Sequence, residues 1–372
     1  MRETGYYEDK YFIPFPLPPK NPAFALEADN AILYGEAMLS LGKLNEMTNN
    51  VPDINRFIKA YVIKEALLSS AIEGIHTTLV DVFTQPLLES KPTKATQLVM
   101  NYIEALNNAI NLIKEENLPI YSRVILNAHK ALMEIGEGDQ ADPGNFRKQA
   151  VKVGTLVPPS PLQVPGLMAD LERYMNTDDT LPPLIKAGLV HLQFETIHPF
   201  LDGNGRIGRL LIVLMLCDSK LLTEPILYPS YYFKKNQIEY YQRLDRVRTH
   251  GDFEGWITFY LKAIKCSSID AYQRGKAIER LRKECINSIM QETKSEKMQQ
   301  NRIKALTVLF LYPIMSVKEL GEQLDISYYS AHKIIIDFFT FGFLVEETQQ
   351  KRGKLFKFKS YFDVLEQDFS LE

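Results

Sequence analysis

Apolar residues recur every three to four positions through residues 31–47, 54–72, 96–113 and 122–133, a period that predicts four helices, with antiparallel neighbours among them. Ahead of these, Pro14, Pro16, Pro18, Pro19 and Pro22 crowd into one stretch, which favours an extended strap lying on the core. Over residues 136–165 the pattern changes to glycine, proline and alternating valine, as suits a short β-hairpin with a proline-rich return. Helical spacing resumes over 167–175 and 184–197, is interrupted by HPFLDGNGRIGR at 198–209, and returns at once, so one loop joins two helices. Residues 231–248 and 253–263 read as further helices, and 274–302 as a charged, solvated connecting helix. Past Ile303 come short helices over 317–324 and 327–341 and a turn-rich hairpin over 343–358, the order of a winged helix. The fold class expected is mainly α.

A chain of 372 residues suggests two or three compact units. Their expected bounds are an N-terminal arm and helical region to 114, a core over 115–265, a connecting helix over 266–302 and a winged-helix-like unit over 303–372. Apolar residues at 45% and charged residues at 24% fit a globular protein, and no apolar run nears the eighteen or so positions of a membrane helix. The opening MRETGYYEDKYF lacks an apolar leader, so a cytoplasmic location is expected. Cys217, Cys266 and Cys285 are odd in number and without C-x-x-C spacing, against both a disulfide framework and a zinc site. A net charge of -3 gives no global attraction to nucleic acid.

The chemistry concentrates at 198–209. Gly203 and Gly205 bracket Asn204 directly before a helix, so several backbone N–H groups can converge on one anion at the positive end of the helix dipole. Arg206 and Arg209, three apart, share a face there, and two guanidiniums beside such a nest imply a polyphosphate. Asp202 at the loop edge would repel phosphates unless a hard cation such as Mg²⁺ lay between them. His198 is placed to take a proton from an incoming hydroxyl. Phe200, between polar neighbours, is expected to point into the core. No lysine follows the glycines, so this is not a Walker A loop.

These residues match HxFx(D/E)GNGRxxR at every fixed position, and the chain resembles the Fic family over residues 55–265. The resemblance implies a helical bundle that holds Mg–ATP in the loop and passes AMP to a Ser, Thr or Tyr hydroxyl of a protein, releasing pyrophosphate. It implies that His198 is the base and Asp202 the magnesium ligand, that Gly203, Asn204 and Gly205 cradle the α- and β-phosphates, and that Arg206 and Arg209 hold the β- and γ-phosphates. GNFRKQAVKVGTLVPPSPLQVPGLM is similar to the family's Gly-x-Phe-Arg segment and to the flap that aligns the target by strand addition, and Tyr231, Tyr232 and Asn236 resemble its adenine-side wall. SSAIEG fits the family's inhibitory pattern (S/T)xxxE(G/N), with Ser69 and Glu73 one turn apart and Gly74 as the helix cap. The implied pair is Glu73 with Arg209, the carboxylate taking donors that the γ-phosphate needs; a lone motif this short also fits an exposed glutamate at a helix end.

Other positions carry less. Thr196 suits a ribose or phosphate contact and equally a cap or packing role. His76, His129, His191, His250 and His332 are scattered singly and read as packing or surface residues, and Trp256, Tyr240, Tyr241, Leu244 and Phe259 as core. In the C-terminal unit His332, Lys333, Lys351, Arg352 and Lys354 favour DNA, while Asp337, Glu346 and Glu347 oppose it, so docking to a protein or a homodimer contact is preferred. The alternative functions are a nucleotide-sensing DNA-binding regulator and, within the enzyme class, removal of AMP or transfer of phosphate or phosphocholine. The modified protein, which includes this chain itself among the candidates, is not written in the sequence.

Overall fold

The computed structural model describes residues 2–20, 23–50, 55–134, 142–178, 180–348 and 353–369, and among them run fifteen α-helices and five short strands. Strands β1 (Gly5–Glu8) and β2 (Tyr11–Pro14) pair antiparallel with Glu8 opposite Tyr11, turning through Asp9 at φ 53°. The proline strap therefore begins at the end of a hairpin. Strand β2 buries Phe12, Ile13 and Pro14 in succession, a run too short to stand out beside five prolines.

Helix α1 (Ala28–Asn50) lies along α11 (Phe253–Glu292), and α2 (Asn55–Ile72), α3 (Leu79–Thr84), α4 (Lys94–Lys114) and α5 (Ser122–Met133) pack in sequence beside them. Residues 253–263 and the charged run after them form one helix as far as Glu292, and residues 296–302 already belong to the next. Ser267, Ser268 and Ala271 bury the join, and small side chains there let α1 approach closely without breaking the helix. The termini of α3 and α4 are fixed by side chains: Thr78 forms a capping box with Asp81, and Thr93 accepts from Thr96 N.

At the centre α7 (Pro183–Ile197) and α8 (Asn204–Asp218) face each other. Every residue of α7 from Leu184 is buried, the signature of a helix enclosed on all sides. Around them stand α6 (Val164–Met175), α9 (Ser230–Lys235) and α10 (Gln237–His250). The single helix expected over 231–248 is broken at Asn236, whose side chain donates to Tyr232 O (3.0 Å) and whose backbone sits at φ −119°, ψ 40°. In the region expected to form a hairpin, residues 135–141 lie outside the described set. The rest makes one antiparallel bridge, Val153 to Leu156, because Pro158, Pro159 and Pro161 supply no N–H to extend a ladder.

The C-terminal unit holds α12 (Glu296–Leu311), α13 (Val317–Leu324) and α14 (Tyr328–Thr340) beside a sheet of order β3-β5-β4: Ile314–Met315, Phe356–Phe358 and Leu344–Glu346. Lys351 and Arg352 lie outside the described residues. A helix absent from the sequence reading, α15 (Lys359–Glu366), ties the unit to the rest: Lys64 Nζ and Arg274 Nη1 both donate to Leu365 O, each at 2.9 Å. Arg274 is fully buried against Asp270 at 3.0 Å.

Candidate active site

His198 ends α7 as its C-cap in a left-handed conformation, φ 50° and ψ 62°, unusual for a residue with a Cβ. Arg147, buried, holds it there. Its Nε donates to His198 O (2.8 Å) and its Nη2 to Ile197 O (3.4 Å) and Pro159 O (2.6 Å), while Nη1 donates to Gln149 O (3.1 Å). One guanidinium thus joins the end of α7 to both sides of the flap segment. Burial pushes the His198 imidazole down to about 4, against the opposing pull of the Glu195 carbonyl, so at neutral pH the ring is uncharged and able to accept a proton.

The loop beyond is closed from within. Asn204 accepts from Phe200 N (2.8 Å) and donates to Phe200 O (2.9 Å), so its side chain shapes the loop rather than projecting from it. Phe200 is fully buried, as expected, and stacks on His129 at 3.7 Å. His129 Nδ1 accepts from Gly144 N (3.0 Å), which leaves Nε2 to donate to Asp202 O at 3.1 Å. His129 is thus a packing residue, but one that fixes the loop; nothing in its spacing from the motif, only the fold, reveals that. Gly203 takes φ 79°, and Asp202 Oδ1 accepts its N–H at 2.6 Å.

The two arginines differ. Arg206, buried, reaches Asp202 Oδ2 at 3.4 Å and Met133 Sδ at 3.7 Å, with the Asp202 side chain half exposed at the rim. Arg209 turns the other way, to α2. Its Nε donates to Ser69 Oγ (2.9 Å), and its Nη2 to Ser69 O (3.0 Å) and to Glu73 Oε1 (2.6 Å). Burial works against the Arg209 charge, but Glu73, Tyr240 and Glu195 more than offset it and hold it protonated. A Cβ at Gly205 would stand 2.2 Å from Glu73 Oε1, so the carboxylate rests against the first turn of α8, where an anion is favoured.

The end of α2 is itself clamped. Gly74 takes φ 79° as the helix terminator, Lys234 Nζ donates to Ala71 O and Gln237 Nε2 to Ile72 O, both at 2.8 Å. Deeper in, Glu65 accepts from Ser230 N (3.1 Å) and Tyr102 OH (3.2 Å), and burial raises its carboxyl to about 7. Sequence reasoning missed these polar ties, because Lys234, Gln237 and Glu65 read as ordinary helix residues.

Tyr231, Tyr232 and Asn236 sit at α9 and the break that follows it, the segment whose Lys234 and Gln237 hold the end of α2. Tyr231 packs edge-on to Tyr228, Tyr232 lies 5.4 Å from the Phe259 ring on α11, and Asn236 bonds within its own turn. Thr196 Oγ1 donates to Leu192 O (2.8 Å), a bond inside α7. Trp256, Tyr240, Leu244 and Phe259 form core, whereas Tyr241 is partly exposed. His191, which accepts or donates at 2.8 Å to Tyr240 OH, is buried with them. The N-terminal hairpin reaches the site as well: Phe12 N donates to Val157 O (2.9 Å), and Gln193 Nε2 donates to Phe15 O (2.9 Å).

Residues 32–111 match the model of the Fic/DOC family N-terminal region and residues 119–216 that of the Fic/DOC family itself. The chain thus carries a Fic/DOC family region over 119–216, preceded over 32–111 by a region similar to that family's N-terminal part. It is 31% identical over 198 residues to protein adenylyltransferase Fic of Drosophila erecta and 30% identical over 198 residues to that of Drosophila melanogaster. Each alignment covers 51% of this chain and 38% of the relative, so the chain spans well under two thirds of the curated relatives it matches. Among solved structures, a Fic family protein from Desulfovibrio desulfuricans G20 superposes with a TM-score of 0.57 at 22% identity, covering 90% of this chain and 97% of that one. A Fic domain containing signaling protein from Bacteroides thetaiotaomicron VPI-5482 gives 0.51 at 18% identity, covering 67% and 96%. These two likenesses are of fold.

Proposed function

We propose that the protein moves AMP from Mg–ATP to a Ser, Thr or Tyr hydroxyl of a protein, and that Glu73 holds it nearly silent at rest. The observation that carries this reading is the shared position of Arg209: its donors serve Ser69 and Glu73, beside a helix N-terminus built for an anion. In the reaction, the hydroxyl oxygen bonds to the α-phosphorus, the bond from that phosphorus to the oxygen bridging it to the β-phosphate breaks, and pyrophosphate leaves. His198, uncharged at neutral pH, accepts the hydroxyl proton. Arg206 and Arg209 stabilise the charge gathering on the departing pyrophosphate.

A divalent cation fits the loop edge. Asp202 is the half-exposed carboxylate there, and among the described residues no group of three or more His, Cys, Asp or Glu side chains gathers to hold a metal. Magnesium, which commonly takes one or two carboxylates plus substrate phosphates, would therefore share Asp202 with the nucleotide and neutralise phosphate charge. Glu73 on Arg209 denies the γ-phosphate its donors, so release of that carboxylate is the activating step.

Intact-mass measurement of the chain and of a candidate target after incubation with Mg–ATP tests the reaction. Added AMP supports transfer of that group, added phosphate replaces it with phosphoryl transfer, and loss of a pre-attached AMP replaces it with removal. For the C-terminal unit we propose protein docking, because α14 exposes Tyr328, Tyr329, Ile336 and Phe339, and Asp337 is paired with Arg302. A salt-dependent shift of DNA in a gel, without transfer of label from α-labelled ATP, would support a nucleotide-sensing regulator instead.

A further inference from the structure

A cavity of about 840 Å³ is walled by α2, α3, α4 and the C-terminal unit. That volume lies within the roughly 300–1,000 Å³ typical of small-molecule sites. Its wall is mainly apolar, with Val62, Ile63, Phe83, Met100, Ile103 and Met315 among its residues. Lys59 stands in the wall, its ammonium 4.0 Å from the centre of the Tyr312 ring and 5.8 Å from that of Phe83. Among the described residues no carboxylate lies within ion-pair distance of Lys59. Of the two glutamates in the lining, Glu319 is engaged by the Ser316 cap (Ser316 N to Oε2, 2.7 Å) and Glu104 is exposed.

We propose that this cavity binds a small organic acid, with an aromatic or branched-aliphatic body against the apolar wall and one carboxylate on Lys59. A partly buried cation facing apolar surface is disfavoured until an anion joins it. Burial alone brings the Lys59 ammonium down to about 8, the response of a cation without a counter-charge. A neutral ligand would leave the ammonium uncompensated. A polyanion such as a nucleotide would meet Glu104 and Glu319 in the same wall. One negative charge on an apolar body is the chemistry that remains.

The site has a regulatory consequence that rests on the function proposed above. Lys59 and Val62 share a stripe of α2 with Ser69 and Glu73, at offsets of seven and fourteen residues, about 10–21 Å along the helix. The cavity and the Glu73–Arg209 pair occur in one structure, and a ligand that prefers the cavity in this form shifts the balance toward the paired state, by no more than that preference, and lowers transfer.

The test titrates 4-phenylbutyrate and 4-methylpentanoate into the full chain by calorimetry, with 4-phenylbutyramide as the uncharged counterpart, on the parent, Lys59→Met and Met100→Trp. Saturable binding of the acids is expected, at least tenfold weaker for the amide and for Lys59→Met, and weakened in Met100→Trp, where an indole takes up part of the cavity. Absence of saturable binding, equal affinity for acid and amide, or affinity indifferent to both substitutions overturns the site. So does a concentration-dependent mass in solution showing that a second copy covers it. If either variant fails to fold, the acid–amide comparison on the parent still decides. With binding established, 4-phenylbutyrate should slow AMP incorporation by the parent and leave Glu73→Gly unchanged; an unchanged parent overturns the regulation. No incorporation even by Glu73→Gly counts against the transferase reading and not against the site.

Discussion

Glu73 Oε1 accepts from Arg209 Nη2 at 2.6 Å across 136 positions of sequence, and the arginine is buried while the glutamate remains partly open to solvent. A hydrogen bond to a charged group contributes about 1.5–3 kcal/mol, and exposure of Glu73 places it at the low end. Glu73→Gly is therefore expected to raise AMP incorporation roughly tenfold at fixed Mg–ATP. Equal incorporation of label by mutant and parent would remove inhibition from the account. Ser69→Ala, which removes the acceptor of Nε but leaves Glu73 on Nη2, should release a smaller part of the activity.

For His198→Ala, transfer should vanish while nucleotide affinity, read by calorimetry in the Glu73→Gly background, changes less than about threefold, because a proton acceptor adds little to ground-state binding. Joint loss of both would make His198 a binding residue instead.

Asp202→Asn keeps the shape of the loop edge and removes its charge. Half-activation should then require at least tenfold more Mg²⁺, with little change in melting temperature, since the side chain is half exposed. An unchanged magnesium dependence would place the cation elsewhere.

Arg147→Lys leaves up to three of four carbonyl acceptors without a donor, at about 1–3 kcal/mol for each that stays buried. The expected result is a chain less stable by about 3 kcal/mol or more, measured by denaturant unfolding, with transfer lowered because His198 loses its brace. A variant as stable as the parent would show that the backbone turn stands without the clamp.

Burial raises the Glu195 carboxyl to about 7, from 4.5 when free. A raised folded value means that the group's stability is complete below the free value and is lost as pH rises through about 7. Glu195→Gln should therefore melt at least about 2 °C higher than the parent at pH 8.5 and no higher at pH 5. A difference independent of pH would contradict the assignment. His129 and His198, pushed down to about 4, and His191, pushed down to about 3, act oppositely. Their stability is complete above the free value of 6.5 and is lost as pH falls toward 4.

What the sequence made legible follows physical range. Helices with their own caps, such as α13 behind Ser316 and α14 behind Ser327, ended where local chemistry ends them. The loop over residues 198–209 was readable because its glycines, arginines and carboxylate are contiguous. Hidden features depended on distant partners: the continuity of α11 past Ala263 needs α1, the break at Asn236 wins over a helical pattern, and α15 is fixed by Lys64 and Arg274. Arg147 was noticed within a motif, yet its four acceptors lie on segments folded together from three parts of the chain.

The seat of β2 on the flap segment has a practical corollary. Phe12 N already uses the Val157 carbonyl, the kind of edge an incoming target strand would pair with under the proposed function. The β1–β2 hairpin is then a built-in competitor for that edge, in constant supply and independent of dilution. Selectivity measured on a version without residues 1–14, or on one whose tag pulls the hairpin away, would belong to a more permissive molecule than one that keeps the hairpin in place.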